Sequence, residues 1–253
     1  MCIFQSYQSL ASVNIYSIIL YMSIRKFSLV DEEYYHIYNR GNNKQNIFVD
    51  DEDRDRFVKL LYLCNSTKKI NFKEDIVQAK INAWDFKRDN RLVAIGAWVL
   101  MPNHFHLYLK ALPKQGFGKS NNITNFMSKL CTAYVKYFNK KYNRTGSLFE
   151  GKFKSVHIKD EVQAKYLFSY IHLNPVKLIQ SDWKETGIKN EKETLDFLNN
   201  YRWNSYSDYL LIKRPENKII NKEDFINYFS EISDFKKEIF DWLKLESTEA
   251  RLW

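Results

Sequence analysis

The sequence predicts an α+β protein in which helices pack on an antiparallel β-sheet. Two β-prone segments, 91–100 and 104–110, are separated by only three residues. Two other segments, 50–64 and 121–142, repeat apolar residues at the 3.6-residue spacing of amphipathic helices. The patterns follow the order strand, helix, strand, strand, helix, strand, helix, which is typical of a sheet with helices packed on it.

The composition is that of a folded and basic protein. The 253 residues are 45% hydrophobic and include 7 glycines and 4 prolines, which excludes a disordered or low-complexity chain. This length suits one domain with an appendage, or two small domains. The net charge of +9 favours an anionic partner, either nucleic acid or an anionic membrane surface.

Most of the net positive charge lies in one quarter of the chain. Residues 119–177 contain eleven Lys or Arg and three acidic residues. Six aromatic residues are interleaved with them: Tyr134, Tyr137, Phe138, Tyr142, Phe149 and Phe153. Exposed rings of this kind would stack on the bases of single-stranded nucleic acid, and this is the interpretation that we favour. The alternative is a lysine-rich surface that is simply solvated.

The cysteines and the N-terminus indicate a protein of the reducing cytoplasm that does not enter a membrane. Cys2, Cys64 and Cys131 form no CxxC pattern, so neither a disulfide framework nor a zinc knuckle is expected. The apolar part of the first 22 residues is shorter than the roughly 18 to 20 residues that span a bilayer, and no Lys or Arg precedes it. We expect residues 1–24 to be an extension without function and Met22 to mark an alternative start.

The first half of the chain carries one strand, one helix and a charged linker before the two adjacent strands. Residues 34–41 alternate as a strand and end in RGNN, a turn signal. The acidic residues that open the helix at 50–64 lie favourably for its dipole. Residues 66–90 predict a linker that holds a short helix at 72–84.

The second half predicts a helix, a strand, another helix and a mostly helical C-terminal appendage, at 121–142, 149–158, 160–174 and 181–253. Asp160, with Gln163 three residues on, is close to a capping box. Pro175 ends that helix because the residue before a proline is pushed out of helical geometry. The expected buried stripe of the appendage comprises Phe225, Phe229, Ile232, Phe235, Ile239 and Trp242.

Two histidines one residue apart, in MPNHFHLYLK, are the first candidate site. His104 and His106 share one face of the predicted strand, whereas Phe105 and Leu107 point to the opposite, core face. Two neighbouring imidazoles can hold one divalent ion. The alternative is a pair of histidines that are partly exposed or hydrogen-bonded and bind no metal. A zinc hydrolase would continue as HxHxD, and Tyr108 occupies the position of that aspartate, which argues against a zinc hydrolase.

The helix at 160–174 offers two further candidates. Tyr170 and Asn174 are four residues apart and therefore lie on one helical face. The Asn174 carbonyl oxygen suits Mg²⁺ or Mn²⁺, and the Tyr170 phenol can act as a nucleophile. Alternatively, Tyr170 is a core aromatic residue and Asn174 a polar residue at a helix end.

Four segments, MPNHFHLYL, YNRTGSLFEGKFKS, YIHLNPVK and YRWNSYSDYL, occur in this order and together resemble the REP-associated tyrosine transposases and the related single-tyrosine HUH transposases. The resemblance covers about 34–211. It implies an RRM-like, ferredoxin-like antiparallel sheet flanked by helices. It also implies that His104 and His106 are metal ligands, that Asn174 is the third ligand, and that Tyr170 is the nucleophile. The linker 66–90 and the first residues of the chain have no counterpart in that resemblance.

The resemblance further implies metal-dependent nicking and strand transfer of single-stranded or hairpin DNA through a 5′-phosphotyrosine, with Mg²⁺ or Mn²⁺. We expect Arg144, Lys152 and Lys154 to contact DNA phosphates, which position the strand without reading its sequence. Tyr166 is the nearest rival nucleophile. The expected organisation is a catalytic domain at 25–180 and a helical accessory region at 181–253, in a monomer or homodimer.

Two other functions compete with this one. The first is a binding module that holds structured RNA or single-stranded DNA on an RRM-like sheet without chemistry. The second is a metal-dependent phosphodiesterase in which an activated water molecule, not Tyr170, attacks the phosphate.

Overall fold

A four-stranded antiparallel sheet forms the centre of the molecule. The computed structural model describes residues 28–113, 121–225 and 232–244. The strands are β1 (Tyr34–Arg40), β2 (Val93–Met101), β3 (His104–Ala111) and β4 (Lys154–Ile158), in the spatial order β2-β3-β1-β4. Neighbouring strands are antiparallel throughout. With one helix between β1 and β2 and another between β3 and β4, this is a ferredoxin-like arrangement, which confirms the predicted fold class.

One face of the sheet is covered by the two long helices, α1 (Asp51–Cys64) and α2 (Asn122–Lys141). Asp50 caps the first turn of α1 by accepting a hydrogen bond from the Asp53 backbone N–H. The apolar stripes of both helices, including Phe57 and Phe126, pack against the inward side chains of the strands, including Phe105 and Leu107. The core therefore lies where the 3.6-residue and two-residue periodicities predict it.

The opposite face of the sheet is covered as well. Helix α3 (Glu161–Leu173) is capped by the Asp160 side chain and continues as the 3-10 helix Asn174–Leu178. Further short helices follow: α4 (Trp183–Thr186), α5 (Glu191–Asn200), α6 (Tyr206–Tyr209) and α7 (Ile232–Lys244). Leu167 and Phe168 of α3 form one hydrophobic cluster with Tyr108 of β3, Trp183 and Phe235. Residues from both 25–180 and 181–253 therefore build this layer.

Several predicted boundaries differ from the structure. Strand β4 begins at Lys154 and not at 149, because the preceding residues form a loop that contains Gly151 at a φ of +151°. The linker contains the π-helix Phe72–Gln78 and the 3-10 helix Ala83–Asp85 where one helix at 72–84 was expected. The remaining 3-10 helices are Asn42–Lys44, Pro215–Ile219 and Lys222–Asp224.

The expected stripe of the appendage is buried at Phe235 and Ile239, and Phe225 is partly buried. Phe229 and the side chains of Ile232 and Trp242 lie outside the described residues, as does the extension 1–24. Within the part of the chain that the structure describes, no helix is both long and apolar enough to cross a bilayer.

The expectation that rings exposed among the lysines stack on bases is wrong for half of them. Tyr134, Phe138 and Phe149 are at most 6% exposed and belong to the core under α2. Tyr137 and Tyr142 pack against the same core. A composition rich in aromatic and basic residues is compatible with both arrangements, and here the helical period of the rings places them inside.

Asp53 joins α1, α2 and the loop before α1 through a buried carboxylate. Its side chain is fully buried and accepts hydrogen bonds from the Tyr137 and Tyr142 hydroxyls, at 3.0 and 2.8 Å. It also accepts from the Val49 backbone N–H and the Lys141 ammonium. Removing this acceptor would take a hydrogen-bond partner from four partly buried donors.

We expect Asp53→Ala to lower the free energy of unfolding by roughly 2 to 3 kcal/mol, measured by urea denaturation. The matched control is Asp55→Ala, which removes a partly exposed ion pair with Lys59 and is expected to cost less than about 1 kcal/mol. Equal effects of the two substitutions would contradict the role of Asp53.

Candidate active site

His104 and His106 belong to β3, an internal strand of the sheet, and lie on the face that α3 covers. The cross-strand pairs of β1 put Arg40 beside His104 and Tyr38 beside His106. Phe105, Leu107 and Leu109 point to the other face and are fully buried, as the alternation predicts. The two imidazole centroids are 5.0 Å apart, close enough for both rings to contact one bound ion.

His106 is held by a third histidine that the sequence analysis did not assign. The His36 Nε2 and His106 Nδ1 atoms are 2.8 Å apart, and the two rings stack at a centroid distance of 5.0 Å. Burial lowers the pKa of His36 to about 3, so this ring is neutral at pH 7. When the His106 Nδ1–H donates to His36, the His106 Nε2 keeps its lone pair. That Nε2 atom is buried and has no hydrogen-bond partner among the described residues.

His104 is held in the same way, by a hydrogen bond to its Nδ1. The Asn103 Oδ1 lies 2.6 Å from this nitrogen and can accept its proton, so the His104 Nε2 keeps its lone pair. Burial, aided by the positive charges of Lys177 and Arg40, lowers the pKa of His104 to about 4, although its contact with Asn174 opposes the shift. The His106 pKa is also lowered, chiefly by burial. Both rings are therefore neutral at pH 7, the form that ligates metals.

Asn174 lies against His104 with an unsatisfied side chain. The residue is 3% exposed, and neither its Oδ1 nor its Nδ2 has a well-formed hydrogen bond within the described part of the chain. Burying an amide without partners costs free energy, so such a group marks a place where a ligand or ion completes the structure. The 3-10 helix that begins at Asn174 contains the buried Pro175 and Val176, which fix its position.

Tyr170 lies on the same side of the sheet, one helical turn before Asn174. Its ring meets the His106 ring edge to face, with centroids 5.3 Å apart, and the His36 ring at 6.2 Å. Tyr166 stacks on Tyr170 from the preceding turn at 6.1 Å. The structure thus brings together the four residues that the sequence selects for chemistry, and it leaves Tyr166 one turn farther along the helix from Asn174.

The side chains gathered here include donor types that bind divalent cations in proteins. Two neutral imidazoles with Nε2 available and one buried amide oxygen make a mixed nitrogen and oxygen donor set. Within the described ranges, no group of three His, Cys, Asp or Glu side chains is arranged to hold a metal. His36 is the third histidine nearby, and its Nε2 is used by His106.

Two lysines that the sequence analysis did not select act on this site. The Lys184 Nζ lies 4.7 Å from the centroid of the Tyr170 ring. The charge of Lys177 lowers the pKa of His104 and of His106. Lys184 belongs to a four-residue helix without periodicity, so its approach to Tyr170 depends on tertiary packing and leaves no signal in the sequence.

The three predicted phosphate contacts lie in different places. Lys154 forms a cross-strand pair with Tyr38, on the same sheet face as His106, and its Nζ lies 6.0 Å from the Tyr38 ring. Lys152 is exposed and lines a cleft between α2 and β4. The Arg144 guanidinium lies 5.5 Å from the ring of Phe138, in the layer on the opposite face. Of the three, only Lys154 is on the side of the histidines.

Comparison with known proteins finds distant structural likenesses. A REP-associated tyrosine transposase bound to a REP hairpin is 14% identical, covers 77% of this chain and 90% of its own, and has a TM-score of 0.43. A bacterial tRNA(His) guanylyltransferase-like protein in complex with ATP is 11% identical, with 90% and 98% covered and a TM-score of 0.38. No family model and no curated protein matches the chain.

His172 lies two residues after Tyr170, on the core side of α3. Its Nε2 is 2.7 Å from the Ser205 hydroxyl, and burial lowers its pKa to about 3. Below its ordinary pKa of 6.5 the unfolded chain binds a proton that the folded protein does not, so stability falls as the pH drops from 6.5 towards 3.

Between pH 7 and pH 5, the protonation of His172 in the unfolded chain lowers the free energy of unfolding by about 2 kcal/mol. We expect His172→Gln to lose about 2 kcal/mol less stability over that interval than the unmodified protein, in urea denaturation at both pH values. If both proteins lost the same amount, His172 would not be buried in its neutral form.

Proposed function

We propose that the protein is a metal-dependent enzyme that nicks single-stranded, hairpin-containing DNA and transfers the cut strand through a 5′-phosphotyrosine intermediate. The observation that carries this proposal is the meeting of the Tyr170 ring with the His106 ring, beside a buried and unsatisfied Asn174 amide. The four sequence segments that resemble tyrosine transposases supply the same residues independently.

His104, His106 and Asn174 would hold Mg²⁺ or Mn²⁺, which would polarise the scissile phosphate and stabilise the leaving oxygen when bound. The Tyr170 hydroxyl would lose its proton to solvent, and its oxygen would attack the phosphorus atom. The bond from phosphorus to the 3′-oxygen would break and that oxygen would take up a proton from solvent, which leaves a 3′-hydroxyl on one strand and a 5′-phosphotyrosine on the other. A second 3′-hydroxyl could reverse the step and join a new strand.

Lys154, on the sheet face of the histidines, would contact a phosphate close to the reacting centre. Arg144 and Lys152 lie farther away and would contact the strand or the hairpin outside it. These contacts would be sequence-independent and would weaken as the salt concentration rises.

We expect Tyr170→Phe to abolish a covalent protein–DNA adduct that the unmodified protein forms with a hairpin oligonucleotide in the presence of Mn²⁺. The substitution removes only the attacking oxygen, and the adduct is measured by denaturing gel electrophoresis of labelled DNA. Tyr166→Phe is the matched control on the same helix and should retain the adduct.

Three outcomes would overturn this proposal. An adduct that persists in Tyr170→Phe excludes Tyr170 as the nucleophile. Cleavage without any adduct, unaffected by Tyr170→Phe, indicates attack by a water molecule. Salt-sensitive DNA binding without cleavage or adduct indicates a binding module.

We expect His104→Ala, His106→Ala and Asn174→Leu each to weaken Mn²⁺ binding by about 10- to 100-fold. The affinity is measured by titration calorimetry of the protein without DNA. His36→Phe removes the hydrogen bond to His106 and leaves the ligands in place, and loss of such a partner typically weakens metal binding 10- to 100-fold. His157→Ala is the control, because His157 pairs with Glu33 outside the site. Unchanged Mn²⁺ affinity in all four variants would exclude this metal site.

A further inference from the structure

The accessory region contributes a positively charged side chain to the candidate active site. Lys184 belongs to α4, whose first residue, Trp183, is 7% exposed and packed in the hydrophobic cluster under α3. The anchoring of Trp183 fixes the backbone of α4, and the Lys184 Nζ lies 4.7 Å from the Tyr170 ring centroid and 5.7 Å from the Trp183 ring. Lys184 is therefore held beside the proposed nucleophile by two aromatic rings.

Lys177 brings a second positive charge to the same place. It follows Asn174 by three residues in the 3-10 helix Asn174–Leu178, next to the buried Val176. In a 3-10 helix side chains three residues apart lie on the same side, so Lys177 lies on the side of Asn174. Burial, together with the charge of Lys177, lowers the pKa of Lys184 to about 8. The two ammonium groups thus repel each other across the site.

This repulsion is not relieved by an acidic side chain at contact distance. Neither lysine forms an ion pair within residues 28–113, 121–225 and 232–244, whereas Lys165 and Lys189 nearby pair with Glu161 and Asp182. Glu185 acts on Lys184 only from a distance. Two partly buried like charges without a counter-ion destabilise the free protein, and an anion placed between them would remove that cost.

We propose that Lys177 and Lys184 form a phosphate cradle that holds one DNA phosphodiester against Tyr170. This inference rests on the proposed function and adds two residues to the site, one of them from the accessory region. An ammonium group is a point charge with three donors and suits a tetrahedral phosphate. The cradle gives 181–253 a role in binding the strand.

The test uses methylphosphonate scanning, in which one phosphate at a time of a hairpin oligonucleotide with a single-stranded flank is made neutral. Affinity is measured by fluorescence anisotropy without metal, on the Tyr170→Phe background, so that no chemistry is needed. We expect one linkage whose neutralisation weakens binding about tenfold. The double variant Lys177→Met plus Lys184→Met should bind the unmodified DNA about tenfold more weakly or worse. Neutralising the same linkage should not lower the affinity of this variant any further.

Lys165→Met plus Lys189→Met is the matched control, because it removes the same total charge from two ion-paired lysines and should retain the linkage effect. Lys184→Arg keeps the charge and should retain most of the affinity, which separates loss of charge from loss of packing. Thermal melting of every variant verifies folding.

The outcomes separate this inference from the proposed function. A linkage effect that survives in the double methionine variant overturns the cradle, whether or not the unmodified protein forms an adduct. A linkage effect that disappears there, at the linkage where the protein forms its adduct, establishes the cradle at Tyr170. If the effect disappears and no adduct forms at any linkage, the cradle holds a phosphate and the proposed chemistry fails. If the linkage whose neutralisation weakens binding is distant from the linkage that the protein cleaves, the cradle does not lie beside Tyr170.

Discussion

The packing of α3 across the histidine-bearing face of the sheet is the constraint on which the site depends. Leu167 and Phe168 bury one side of this helix against β2, β3 and the accessory helices. Tyr170 follows Leu167 by three residues, so the same side of the helix brings it to the His106 ring, and the helix end brings Asn174 to His104. A ferredoxin-like sheet with that face open would leave the two histidines in water.

Burial by α3 also sets the electrostatic state of the site. It lowers the pKa of the imidazoles, so they remain neutral ligands at pH 7, and their Nδ1 atoms bond to His36 and Asn103. The charged groups that remain nearby, Lys177 and Lys184, are positive. In the proposed function, the nitrogen donors and the unsatisfied amide of this buried site would hold a divalent ion, and the cations at its rim would hold a phosphodiester.

The sequence predicts what local periodicity and capping determine. The two-residue alternation of 104–110 predicts the shared face of the histidines, and Asp160 caps α3 as expected. The pairing of His36 with His106 could not be predicted, because it depends on the register between β1 and β3, 70 residues apart. The approach of Lys184 likewise depends on the packing of a four-residue helix. The helical period of 121–142 predicts a core position for Tyr134, and the structure buries it, although the same residue type also stacks on bases.

The central claim is that two imidazoles, one amide and one phenol converge around a single divalent cation. Anomalous X-ray diffraction from crystals of the protein grown with Mn²⁺ tests this claim most directly, because it locates the metal without assuming its ligands. The account predicts one strong peak enclosed by His104, His106 and Asn174, with the Tyr170 hydroxyl facing it. A manganese peak elsewhere, or a Tyr170 ring turned into the layer under α1 and α2, would contradict it.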